Sequence, residues 1–243
     1  MEGKLNLTGR IVQYEIKRSK RARRITVRVD LCGTVKVTAP QRVSVAYIER
    51  SLYDVSDFIL KSLADNERKK ATVPHLTEYG NGEVLSIFGR ILELAVFPGK
   101  SQSVSILGDC LLVRVKEPYT AENVKRAVNA FLRAEVERAV SVFSRKCYSE
   151  MNISTPFPKI VYRNAVSRWG RCTPARNELM FNYALYAAPI ESVEYVVYHE
   201  FAHFFELNHS KKFYAIVAKY LPDWKSRRAK LKNIALAGKL YYV

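Results

Sequence analysis

Tyr198-His199-Glu200-Phe201-Ala202-His203-Phe204-Phe205-Glu206-Leu207-Asn208-His209 is the stretch on which the reading of this chain turns. It carries three of the four histidines of the protein, in the pattern H-E-x-x-H with a further His six residues on. On a helix, residues four apart share a face, about 40° apart around the axis. His199 and His203 can therefore offer two imidazoles to one metal ion. Glu200, beside His199, can reach a water on that ion. This is the spacing of zinc-dependent hydrolases, so the implied cofactor is Zn2+ and the implied base is Glu200.

The residues around the motif support that reading over a chance match. Val193, Tyr195, Val196, Val197, Tyr198, Phe201, Ala202, Phe204 and Phe205 make the segment apolar nearly all round, as in a buried helix. Burying His199, Glu200 and His203 without partners would be costly, and a metal removes that cost. Catalytic zinc keeps three protein ligands and one open position. Glu206 and His209 are the candidates for the third. Glu206 is near the same face only if the helix continues. His209 is in reach only if the helix ends first, and Leu207-Asn208 supplies a break, since Asn tolerates the left-handed conformation. We expect His209 as the ligand. Glu206 then stands behind the ligands or is a solvated helix-end residue.

The 243 residues suffice for one large domain or two small ones, and 48% are hydrophobic, enough for a core. No run is long enough to span a bilayer, and Met1-Glu2-Gly3-Lys4-Leu5-Asn6 does not read as a signal peptide. A cytoplasmic protein without membrane contact is expected. Cys32, Cys110, Cys147 and Cys172 have no C-x-x-C spacing, which argues against a disulfide framework. The net charge of +17 gathers at Arg18–Arg24, Arg163–Arg176 and Lys225–Lys232. It suits nucleic acid, a nucleotide or an acidic protein as partner, and equally a basic solvated surface.

The expected fold class is α+β. Strands are predicted over Gly9–Lys17, Arg24–Asp30, Thr34–Thr38, Glu83–Phe97, Ser103–Leu107 and Cys110–Lys116. One helix is predicted over Val43–Lys70 and a connector over Pro74–Gly82. Thr120 is placed to cap a long helix, Ala121–Met151. Strands Lys159–Arg163, Ser167–Thr173 and Asn177–Tyr183 follow, then the motif helix from Pro189, then helices Ser210–Tyr220 and Asp223–Ala235. No internal repeat is visible. We expect a strand-rich N-terminal region with one helix over 1–117 and a zincin-like metal-binding domain over 118–243, or one integrated domain. Asn177–Tyr183 is the candidate strand for pairing with an extended substrate.

Several separated motifs then occur in order: Ser167-Arg168-Trp169-Gly170-Arg171-Cys172, Asn182-Tyr183, Val196 to His203, Asn208-His209-Ser210 with Phe213, and Leu221-Pro222-Asp223-Trp224. Together they resemble the YgjP-like metallopeptidase family, and Arg18 to Pro40 is also similar to it. The resemblance implies His199, His203 and His209 as metal ligands, Glu200 as catalytic base and a peptide or protein as substrate. At the level of the motif the family is similar to SprT-like proteases, which act on protein bound to DNA. Some of its members are described as nucleotide pyrophosphatases, which implies a second substrate class. A third reading is a nucleic-acid-associated protein with a structural metal. That site needs a fourth ligand, from Cys172 or Glu206. Gly170 either allows close backbone approach at the cleft or forms a bulge, and Arg168, Arg171, Tyr183 and Tyr186 are candidate oxyanion donors.

Overall fold

The computed structural model describes residues 2–29, 33–72, 76, 78–117, 119–165, 167–232 and 234, with the side chains of 66 and 68–72 left aside. Cys32, Pro74, Pro118, Ala235 and part of the expected 74–82 connector lie outside the described residues. The chain divides into two compact units, Met1–Ala71 and Thr72–Val243. The boundary expected from sequence lies between 117 and 118, with one integrated domain as the alternative.

In the first unit, strands β1 (Glu2–Leu7), β2 (Arg10–Ser19), β3 (Thr26–Val29) and β4 (Val35–Pro40) form one sheet in the order β1-β2-β4-β3. Alternation puts Leu5, Leu7, Val12, Tyr14, Ile16, Val35, Val37 and Ala39 on the buried face. Helices α1 (Val45–Asp54) and α2 (Ser56–Thr72) supply Ile48, Leu52, Ile59 and Leu63 to the same core. The single helix expected over Val43–Lys70 is thus two, broken at Val55, whose φ of -111° and ψ of 22° leave helical geometry. Arg18 clasps the end of this sheet, its guanidinium donating to the carbonyls of Pro40 at 3.1 Å, Gln41 and Val43. It is therefore held by its own fold, whereas Arg21, Arg23 and Arg24 are exposed.

The second unit opens with β5 (Val84–Ile87), β6 (Arg90–Pro98), β7 (Ser103–Leu107) and β8 (Cys110–Val115), ordered β5-β6-β8-β7. The strand expected over Glu83–Phe97 is a hairpin, turned at Phe88 and Gly89, whose φ values are 51° and 85°. Two successive positive φ angles make the tight turn that matches strand twist.

This sheet repeats the topology of the first, although no repeat was visible to the sequence reading. Leu5-Asn6-Leu7-Thr8-Gly9-Arg10-Ile11 corresponds to Leu85-Ser86-Ile87-Phe88-Gly89-Arg90-Ile91. The registers match too: Leu7↔Arg10 with Ile87↔Arg90, and Ile16↔Val37 with Val96↔Val113. The likeness is carried by pairing geometry and a few positions, which is why composition and motif reading passed over it.

The long helix α3 (Ala121–Glu150) is capped by Thr120, whose hydroxyl accepts from Asn123 N–H at 3.2 Å. It buries a helical stripe that includes Val124, Val128, Leu132, Val136 and Val140 and packs on β7, β8 and the motif helix. Phe88 N–H donates to Tyr186 O at 2.7 Å, and Gly89 lies against Pro189. These contacts tie residues 84–115 to the histidine-bearing part and explain why the division falls near 71.

A three-stranded sheet follows, ordered β10-β11-β9, from β9 (Lys159–Arg163), β10 (Gly170–Thr173) and β11 (Glu178–Asn182). Helices α4 (Ile190–Ala202), α5 (Lys211–Tyr220) and α6 (Trp224–Lys232) close the unit. The fold is thus mixed α+β, with three small sheets and six helices among the described residues. No described helix is long and apolar enough to cross a membrane.

Candidate metal centre

Helix α4 is buried along most of its length, Val193, Tyr195–Tyr198 and Phe201–Ala202 among its buried residues. It ends at Ala202, because its last turn tightens: His203 N–H bonds Glu200 O at 3.3 Å, and Phe204 N–H bonds Phe201 O at 3.1 Å. The end therefore comes earlier than Leu207-Asn208, and Asn208 is not in the left-handed region. The turns after it carry the chain back across the helix end, and Ser210 starts α5 by accepting from Phe213 N–H.

This return brings His209 to His199 and His203. One ligand atom from each of the three lies within 4.8 Å of the others, the one such group of potential metal ligands among the described residues. Nε2 of His209 and Nε2 of His199 are 2.9 Å apart. The Nδ1 atoms of the other two rings are engaged on their outer sides: Tyr195 hydroxyl lies 3.3 Å from Nδ1 of His199, and Glu206 O lies 3.1 Å from Nδ1 of His203. Two rings are thus oriented by outer partners with Nε2 turned inward, the arrangement a metal-binding imidazole needs. Burial, then His203, His209 and Arg228, hold His199 down to about 3, so its lone pair is available near neutral pH. Phe213 packs against all three rings, with centroids 4.6–4.9 Å away.

Neither Cys172 nor Glu206 joins the group. The Glu206 carboxylate accepts from Asn208 N–H at 3.3 Å and faces Lys212. Burial, then the Glu200 charge, push the Cys172 thiol up to about 12.

Glu200 is 6% exposed. Burial raises its pKa to about 8, opposed by the Cys172 backbone N–H that donates to its carboxylate and by Arg168. Strand β10 passes directly over it. A Cβ on Gly170 would lie 2.6 Å from Oε1, 2.7 Å from Cγ and 2.9 Å from Cδ of Glu200, so any side chain there requires Glu200 to move. The close-approach reading of Gly170 therefore holds.

Asn182 fixes the loop before β10: its amide donates to Ala165 O at 2.6 Å and Arg168 O at 2.9 Å, and its N–H donates to Trp169 O at 2.9 Å.

The strand proposed for substrate pairing requires correction. β11, within Asn177–Tyr183, is the central strand, and both its edges are filled by β10 and β9. The edge strands are β10 and β9, and β10 is the one that lies against Glu200. Arg168 and Arg171 line a cleft of about 450 Å³ with the three histidines and Glu200. Tyr183 donates instead to Glu137 on α3 at 2.7 Å, under the Arg133 guanidinium, and Tyr186 is buried.

Sequence reasoning missed Tyr195 and Arg228. Tyr195 was legible, four residues before His199. Arg228 was one cation in a basic helix, and nothing local separated it from its neighbours.

No curated protein matches the chain. Two solved metallopeptidase zymogens are similar in part: abylysin of Pyrococcus abyssi, at 20% identity, TM-score 0.35, 38% of this chain and 90% of that one, and jannalysin of Methanocaldococcus jannaschii, at 19% identity, TM-score 0.34, 38% and 85%. The model of the YgjP-like metallopeptidase domain matches residues 23–234, nearly the whole chain, and the protein accordingly belongs to the YgjP-like metallopeptidase family.

Proposed function

We propose that the protein is a zincin-like, zinc-dependent peptidase, with His199, His203 and His209 as the metal ligands and Glu200 as general base. The observation that carries this reading is the convergence of three imidazoles within 4.8 Å beside a buried carboxylate. Zinc, when bound, supplies a Lewis acid that polarises the scissile carbonyl and lowers the pKa of a coordinated water towards about 7.

The chain's own residues do the rest. With a cation on the histidines favouring its ionised form, Glu200 would take the proton of the attacking water and return it to the leaving nitrogen. Tyr195 and the Glu206 carbonyl hold the imidazoles in orientation. β10, as an edge strand above Glu200, offers backbone groups to an extended peptide. Arg168 and Arg171 are the cations available to the developing oxyanion.

The test is metal content with hydrolysis of a denatured protein. Purified protein is expected to hold about one zinc per chain. His209→Ala is expected to lose most of it and Glu206→Ala to keep it. Glu200→Gln is expected to keep zinc and lose at least about a hundredfold in turnover. The assignment fails if His209→Ala retains full metal while Glu206→Ala loses it. Hydrolysis of a nucleoside triphosphate but of no peptide would transfer the site to phosphate chemistry.

A further inference from the structure

On the far side of His199 and Glu200 the cleft continues into a second cavity of about 360 Å³. The two cavities share Gly170, His199 and Glu200 as lining residues, so they adjoin at the histidine cluster. The second has apolar walls, Trp169, Tyr195, Val196 and Leu231, and two cations, Arg228 and Lys232. Both cations are exposed, at the solvent side of the cavity, while Val196 and Leu231 are buried.

Arg228 is placed there by its helix. Arg227, its neighbour on α6, reaches Glu194 on α4 at 2.6 Å and also donates to Glu191 O at 3.2 Å. Ser192 donates to Arg227 O at 3.0 Å, and Lys230 reaches Glu191 at 2.6 Å. With those two cations spent on the clamp, Arg228 and Leu231 are turned to the cavity. The Arg228 guanidinium lies 5.5 Å from the Tyr214 ring, which stacks on Trp224 at 4.4 Å. Among the described residues no carboxylate forms an ion pair with Arg228.

We infer that this cavity is a substrate subsite for a bulky apolar side chain with a carboxylate beside it, the side chain packing on Trp169 and Tyr195 and the carboxylate pairing with Arg228 and Lys232. As a peptide subsite it rests on the peptidase reading. The apolar walls ask for an apolar body. The two cations ask for an anion, and a planar guanidinium matches a carboxylate with two parallel hydrogen bonds. The carboxylate has two sources, the C-terminus of the substrate or an adjoining Asp or Glu side chain. The first makes the protein a trimmer of chain ends, the second an endopeptidase selective for acidic sites.

Binding is measured first, on metal-free protein, by NMR titration with N-acetyl-phenylalanine and with its amide, following the Trp169 indole. The acid is expected to bind about tenfold tighter than the amide, and Arg228→Gln to bring that ratio close to one. Arg228→Lys is expected to keep part of it, because charge survives and the fork does not. Equal binding of acid and amide, binding of neither, or an unchanged ratio in Arg228→Gln overturns the proposal. So does tighter binding of inorganic triphosphate than of the acid.

Hydrolysis by zinc-loaded protein then separates the sources, using matched peptides ending in Phe, in Phe-Glu-amide and in Phe-Gln-amide. Preference for the first or second names the source, and no preference for either over the third overturns the proposal. Failure to cleave any peptide defeats the peptidase reading alone, since the metal-free titration still decides the cavity's ligand.

Discussion

Replacing Gly170 by Ala tests how strand β10 and Glu200 are built together. The new methyl carbon would sit 2.6 Å from Oε1 and 2.7 Å from Cγ of Glu200. Ordinary contact begins near 3.4 Å, so the carboxylate has to retreat by roughly 0.8 Å (3.4 minus 2.6). Cγ is close to the helix backbone and cannot retreat alone, so the whole side chain has to turn, leaving the Cys172 N–H. A catalytic group misplaced by about 1 Å costs on the order of a hundredfold in rate.

The imidazoles are not touched, so zinc content and the unfolding midpoint of the zinc-loaded protein are expected to stay close to wild type. The assay is kcat/KM on a peptide that wild type cleaves, with zinc content measured on the same samples. A double-mutant cycle isolates the route: if Gly170 acts through Glu200, adding Gly170→Ala to Glu200→Gln costs little more. Full activity in Gly170→Ala, loss of zinc, or multiplied penalties in the double variant would refute the reasoning.

Two further outcomes follow from the outer partners and from burial. Tyr195→Phe removes the group facing Nδ1 of His199 and is expected to weaken zinc affinity about 10- to 100-fold in a chelator competition, with the metal-free fold retained. In metal-free protein, Glu200 has its pKa raised from 4.5 to about 8, so the folded state holds a proton that the unfolded state releases. Its stabilising contribution is complete below pH 4.5 and is lost as pH rises through about 8. Glu200→Gln, which cannot ionise, should therefore gain on wild type across that window by ~1.4 kcal/mol per pH unit at most, and urea unfolding at pH 5 and pH 8 measures the gap. A gap that does not change with pH would contradict the burial of Glu200.

Much of the centre was written in the local sequence. Two histidines four apart, a glutamate between them and an apolar surround point to a buried helix with two imidazoles on one face, because helical periodicity and the cost of burying polar groups are local rules. Thr120, the periodic stripe of α3 and the α+β order are legible for the same reason. The third histidine of the cluster was only half legible. His209 requires the helix to end, and the end lies at Ala202, where backbone bonds tighten without a Gly or Pro to announce it.

Only the tertiary structure decided which strand forms the edge against Glu200, which glycine makes room for that carboxylate and which of many cations reaches the cleft. Strand order depends on pairing between segments distant in sequence, and β10 and β11 have equally plausible compositions. Gly170 gains its meaning from a carboxylate thirty positions away, and Arg228 from a clamp between α6 and α4. The sheet of the first unit and that of residues 84–115 share a register because long-range pairing fixes it, while few side chains repeat. Local chemistry thus determined that the chain has a buried helix bearing the paired histidines, and contacts between distant segments determined what surrounds it.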